Sequence, residues 1–206
     1  AIEDMQKLAP FGVGNPKPRI AVKDAELESI RAIGSDGSHL KMALRDGQAT
    51  LDTIGFGFGA YAKEISPVAK VSVIGEASIN EWNNFKKPQL MVQDIAVEAW
   101  QLFDWRSMRN AEANLAELPK EKITMVYFSE EVLNKFSLES YKEKLMHASE
   151  VTHLDDQYIV LLDLPKGTDE LRELFKVGFP ARIYTLFYQE NNHLFSTVPT
   201  REHFKW

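Results

Sequence analysis

The chain has 206 residues, 44% of them apolar, with 24 Lys and Arg against 30 Asp and Glu for a formal charge of −6. That length and apolar content suit one large or two small domains with proper cores, and the acidic balance excludes a protein that grips nucleic acid through a globally basic surface. The chain has no cysteine, which excludes disulfide frameworks and thiolate metal sites and fits a cytoplasmic setting; no apolar run reaches membrane-spanning length, so no membrane partner is expected.

The first informative stretch is Leu8-Ala9-Pro10-Phe11-Gly12-Val13-Gly14-Asn15-Pro16-Lys17-Pro18. Three prolines fix φ, two glycines free it, and Asn15 tolerates a left-handed turn, so the segment reads as a rigid connector and not as helix or central strand. Gly12-Val13-Gly14 also has the spacing of a phosphate-cradling loop. Such a loop needs a helix opening after it, and Pro16 and Pro18 forbid that helix. The stretch resembles the L-x-P-F-G-x-G-N-P-x-P signature of the RecJ family, bacterial exonucleases that degrade single-stranded DNA from the 5′ end. Ile20 stands where that family usually has Phe. The resemblance implies that residues 1–19 link an upstream catalytic core to the rest of the chain, with Phe11 as a packing anchor for that core. The opening at Ala1 and the apolar close at His203-Phe204-Lys205-Trp206 fit the expectation of an internal part of a longer protein.

From Ile20 to Val97 the signals are those of strands: β-branched and aromatic residues, short alternations, and turn clusters at Gly34-Ser35-Asp36-Gly37-Ser38 and Asp46-Gly47. His39 to Arg45 alternates, which predicts Leu40, Met42 and Leu44 inward and His39, Lys41 and Arg45 outward. Ala49 to Phe58 predicts a further strand with Ile54, Phe56 and Phe58 on one face. A short helix is expected near Ala60 to Ile65, then strands at Lys70 to Glu81 and Pro88 to Trp100. Three strands, a helix and two strands is the order of an OB-fold five-stranded β-barrel, placed at residues 20–103.

The second half changes rhythm. Asp104 to Lys122 reads as a linker, helical through Ala111 to Leu118 and broken at Pro119. Ile123 to Phe128, Tyr158 to Leu164 and Ala181 to Tyr188 are nearly continuous apolar runs, the pattern of strands buried on both faces of a parallel sheet. Helical stretches are expected between them at Leu138 to Ala148 and Asp169 to Val177, with Ser137 and Thr168 as N-caps. The fold class is therefore β plus α/β, the barrel being followed at residues 123–206 by a small α/β domain in parallel βαβαβ order. Asp104-Trp105-Arg106 and Arg182-Ile183-Tyr184 resemble the extra C-terminal domain of Gram-positive RecJ. Its role is read as docking a protein partner or extending the DNA path, with modest aromatic exposure at Tyr184, Phe187 or Tyr188.

OB barrels bind on the second and third strands and the loops joining strands one to two and four to five. The fourth-to-fifth connection reads Asn80-Glu81-Trp82-Asn83-Asn84-Phe85-Lys86-Lys87-Pro88-Gln89. Aromatics, lysines and amides interleaved are what unpaired nucleic acid requires: a face for a base, cations for phosphates, amides for edges. A solvated hairpin tip whose aromatics fold back on the barrel explains the same residues. Members of the RecJ family show a similar segment, matched here by Asn80 or Asn84, Phe85, Gln89 and Leu90, and a His-Leu-Lys run matched by His39 and Lys41. The candidate contacts to single-stranded DNA are therefore His39, Lys41, Arg45, Trp82, Asn84, Phe85, Lys86, Lys87 and Gln89.

No catalytic centre is expected in this chain. The resemblance implies Mn²⁺ or Mg²⁺ held by Asp and His in the upstream domain, yet here the five histidines are scattered and no Asp-His-His run occurs. His153-Leu154-Asp155-Asp156 has ligand types but reads as a solvated loop, and Lys166-Gly167-Thr168 lacks the glycines of a phosphate loop. The resemblance implies a hydrolase acting in DNA repair and recombination, with this part inactive alone. The alternative is a protein-interaction scaffold without nucleic-acid contact, which the acidic balance favours.

Overall fold

The computed structural model describes residues 2–82, 85–106, 111–136 and 138–189, apart from the side chains of Glu3, Trp82, Ala111 and Glu112. The chain divides into two compact units, Ala1–Leu102 and Phe103–Trp206.

In the first unit, α1 (Ile2–Gln6) is followed by the proline-rich stretch, whose only ladder is an isolated bridge between Gly12 and Asn15. Gly14, at φ 86°, makes the bend, and Asn15 does not need the left-handed conformation it could tolerate. Its amide instead donates to the Leu8 and Pro10 carbonyls at 3.0 and 2.9 Å, tying the two ends of the connector together. Five strands then close a barrel in the order β1-β2-β3-β5-β4: β1 (Arg19–Ile33), β2 (His39–Asp46), β3 (Ala49–Gly55), β4 (Lys70–Trp82) and β5 (Phe85–Ala96). The expected OB-type barrel is present, with α2 (Tyr61–Glu64) between β3 and β4. The parallel pairing of β3 with β5 is what closes it, the other four pairings being antiparallel. One strand, β1, serves two neighbours, because register shifts at Leu27/Ser29 and Val22/Ala25 bend it from β2 onto β4.

Leu40, Met42 and Leu44 are at most 2% exposed, as the alternation predicts, and pack with Val71, Val73, Ala77 and Leu90. Each such burial stabilises the fold by about 1.5–3 kcal/mol relative to exposure. The third strand departs from expectation. It ends at Gly55, where the Phe58 amide donates to the Gly55 carbonyl and Gly57 takes φ 80°. Thr53 and Gly55 are buried, so Ile54 faces outward, Phe56 is exposed, and only Phe58 turns back against the core.

The second unit is built on a five-stranded sheet ordered β6-β10-β9-β7-β8, with β6 (Gln101–Asp104, whose first two residues close the first unit), β7 (Ile123–Tyr127), β8 (Leu145–His147), β9 (Tyr158–Asp163) and β10 (Arg182–Tyr188). The pairings β7/β8, β7/β9 and β9/β10 are parallel. Ile159 to Asp163 and Ile183 to Leu186 are buried without interruption, as strands covered on both faces must be. The α/β class holds, with corrections within it. The helix expected at Leu138 to Ala148 is a 3₁₀ turn (Glu139–Lys144), the edge strand β8, and a second 3₁₀ turn (Ala148–Glu150); Ser137 lies outside the described residues. The segment read as a linker carries α3 (Ala111–Glu117), whose Leu115 is 1% exposed in this unit's core. Thr168 opens α4 (Thr168–Leu174) without capping it; the Glu170 carboxylate accepts from the Lys166 amide at 2.7 Å instead. Of the three aromatics expected to be modestly exposed, Tyr184 is 2% exposed, its ring centroid 4.8 Å from that of Phe103 and 4.5 Å from that of Trp105, while Phe187 and Tyr188 are half-buried.

Candidate nucleic-acid interface

Because side chains alternate along each strand, the residues between the core positions of β2, β3, β5 and β4 share the barrel's outer face. The registers align them in rows. Lys41 pairs with Ile54, Ile54 with Met91 and Met91 with Glu76, which makes one row across four strands. The next row is Ala43, Asp52, Gln89 and Ser78. Beyond the first row, on its other side, lie His39 and Phe56, their ring centroids 5.1 Å apart and edge to face.

This face carries an apolar ridge. Phe56 is 57% exposed and Met91 39% exposed, with half-buried Ile54 adjoining them. Phe56 is thrown outward by the glycines on either side of it. His39 braces the turn, its Nδ1 accepting from the Gly57 amide at 3.2 Å and lying 3.2 Å from the Ser38 hydroxyl. The preceding loop is pinned as well: the Ser38 amide donates to Asp36 at 3.1 Å, and the Gly59 amide donates to the Ser38 carbonyl at 2.9 Å. The Ser38 hydrogen bonds hold the Asp36 carboxyl below the usual carboxylate range.

The structure separates the candidate contacts into groups. His39, Lys41 and Gln89 sit on or beside the ridge. Lys87 and Phe85 continue the same face along the β4–β5 arm, where Asn80 pairs with Lys87 and Trp82 with Phe85. From Phe85 to Met91 the arm spans about 20 Å at the usual rise of a strand. Phe85 is 74% exposed, so the folded-back reading of the hairpin tip does not apply to it. Lys86 faces the opposite way and pairs with Glu81 at 2.6 Å, and Arg45 pairs with Glu26 at 2.8 Å. Lys41 and Lys87 have no ion pair among the described residues. Asn84 and the Trp82 side chain lie outside the described residues.

Phe56, Ile54 and Met91 are the site residues that sequence reasoning missed. The signal was Gly55-Phe56-Gly57-Phe58-Gly59: three glycines at every second position cannot all be strand interior. Among the described residues no group of His, Asp and Glu could hold a metal ion. Asp155 is engaged by the Phe179 amide at 2.9 Å, and His153 Nδ1 lies 3.9 Å from it.

Comparison with known proteins gives two family matches. The RecJ OB domain matches residues 1–94, and the C-terminal domain of single-strand DNA-specific exonuclease matches residues 101–206. The single-stranded-DNA-specific exonuclease RecJ of Bacillus subtilis (strain 168) is 42% identical over 211 aligned positions, which cover 100% of this chain and 27% of that protein. The chain thus spans about a quarter of the length of the curated relative it matches. Among solved structures, RecJ of Thermus thermophilus in complex with Mg²⁺ is 21% identical with a TM-score of 0.37, over 96% of this chain and 28% of that one. The mitochondrial single-stranded DNA binding protein Rim1 of S. cerevisiae is 16% identical with a TM-score of 0.32, over 39% of this chain and 92% of that one.

Proposed function

Because the chain belongs to the RecJ family of single-strand-DNA-specific exonucleases, we propose that its barrel holds single-stranded DNA along the outer face of β2, β3 and β5 and leads it to a nuclease centre elsewhere in the parent protein. The observation that carries this reading is the exposed Phe56–Ile54–Met91 ridge with Lys41 at its side and Lys87 along the arm. A base needs a flat apolar surface and its phosphate a cation, and the strand registers supply both at neighbouring positions. The barrel itself is acidic: residues 1–103 hold 11 Lys and Arg against 13 Asp and Glu. Stacking therefore carries more of the affinity here than charge does.

The proposal includes a division of labour. A divalent cation, Mn²⁺ or Mg²⁺, would serve hydrolysis elsewhere in the parent protein, and the 206-residue chain would be a gripping module, inactive alone, of a cytoplasmic hydrolase acting in DNA repair and recombination.

Salt dependence tests the reading. Binding of this chain to oligo-dT should weaken as salt rises, and Lys41→Ala and Lys87→Ala should each reduce the slope of log K against log salt by about 0.7, the share of one phosphate on a single strand. Binding that ignores both lysines, or no binding at low salt, returns the barrel to a protein-interaction scaffold.

A further inference from the structure

On the barrel's outer face most polar side chains are spent on one another. Arg45 and Thr50, a facing pair on β2 and β3, turn to Glu26 and Glu28 of β1 at 2.8 and 3.0 Å. Glu76, at the β4 end of the ridge row, accepts from the Gln93 amide at 3.1 Å and lies 3.8 Å from Lys17. Between these two lies the row Ala43, Asp52, Gln89 and Ser78, and there the pattern breaks. Asp52 and Gln89 face each other across β3 and β5. Both are half-buried, and among the described residues no hydrogen bond or ion pair engages either side chain. Ala43, the β2 neighbour of Asp52, brings it no polar group. An acceptor and an amide are thus held side by side and unused, two residues along the strands from the apolar pair Ile54 and Met91, or roughly 7 Å.

We propose that Asp52 and Gln89 read the Watson–Crick edge of a base seated on that ridge, and that the base they select is guanine. This rests on the outer face being the path of single-stranded DNA. A carboxylate repels phosphates, so a strand crossing this face turns its bases toward Asp52 and leaves its backbone to Lys41 and Lys87. Unpaired bases are read in this way, on edges that a duplex would hide. A carboxylate offers acceptors only, so the base must supply the donors. Adenine, cytosine and thymine each present a single donor group on that edge: the N6 amino group, the N4 amino group and N3–H. Guanine alone presents two adjacent ones, N1–H and the N2 amino group, which the two carboxylate oxygens of Asp52 accept together. The Gln89 amide then donates to O6, the next group along the same edge. Bidentate bonds to an ionised group are about twice as strong as neutral ones, and this decides in favour of guanine.

Fluorescence anisotropy of the 206-residue chain with labelled oligo-dT strands that differ at one central base tests the assignment. The strand carrying guanine should bind at least about fivefold tighter than the strand carrying inosine, whose base keeps N1–H and O6 but lacks the N2 amino group. Asp52→Ala should bring the two strands to one affinity, and Asp52→Asn, which keeps one acceptor oxygen, should narrow the gap between them. Phe56→Ala should weaken both strands alike. Equal binding of the guanine and inosine strands by the unaltered chain, or a preference that survives Asp52→Ala, overturns the guanine reading and leaves the DNA path standing. No binding of any strand overturns the path and the guanine reading together.

Discussion

Phe56→Ala is expected to weaken binding of an oligo-dT strand by about 1–3 kcal/mol, the range measured for one base losing its aromatic platform. Thermal unfolding of the chain should be unchanged. Both halves of this expectation follow from position. At 57% exposure the ring has little packing to lose, and its neighbours His39 and Gly57 are joined through the Gly57 amide without it. The loss would therefore appear in affinity alone. Phe58, two residues on, supplies the contrast: it packs against the barrel core, so Phe58→Ala lowers stability first and binding only as a consequence. Fluorescence anisotropy with a labelled oligo-dT, beside a thermal melt of each variant, reads the two effects separately. Unchanged affinity in the Phe56 variant would remove the ridge from the DNA path.

Asp163→Ala should destabilise the second unit by about 2–6 kcal/mol, since two amides, one buried and one partly buried, are left unpaired at about 1–3 kcal/mol each. Asp163 is 6% exposed and its acceptors serve Phe128, also 6% exposed, and Ser129. Asparagine keeps one acceptor oxygen and turns an amino group toward the other amide, so Asp163→Asn should cost less than alanine but more than nothing. Hydrogen exchange at the β9 amides of Val160 and Leu161 reports on this unit without averaging over the barrel. Burial holds the Asp163 carboxyl above its ordinary value of 3.8, against the opposing pull of the two amides. The folded state thus keeps this proton longer than the unfolded chain does. Its contribution to stability is full below 3.8 and fades as pH rises through the folded pKa. Asp163→Asn should flatten that part of the pH profile.

Much of the architecture was legible because local pattern and tertiary environment agree. The alternation from His39 to Arg45 matches a strand with one face in a core, and Leu40, Met42 and Leu44 are where it places them. The uninterrupted apolar runs at β7, β9 and β10 could only be covered on both faces. The failures share a cause, which is that non-local pairing decided the outcome. Leu145 to His147 looks like the end of a helix, but lying parallel to Met125–Tyr127 makes it a strand. Gln101 to Asp104 is too short to announce itself, and its place beside β10 makes it one. At the site, polar and charged candidates were found because their chemistry marks them. Phe56 was grouped with Ile54 and Phe58 on one strand face, and the turn at Gly57 parts them, leaving Phe56 exposed while Phe58 packs on the core.

The central claim is that the outer face of β2, β3 and β5 is the path of single-stranded DNA. The most direct measurement is a titration of the isotope-labelled chain with oligo-dT, following backbone amides. The amides of Lys41, Ile54, Phe56, Gln89 and Met91 should move together and saturate at one affinity. Stationary signals at those five positions, with shifts gathered instead among residues 103–189, would contradict it.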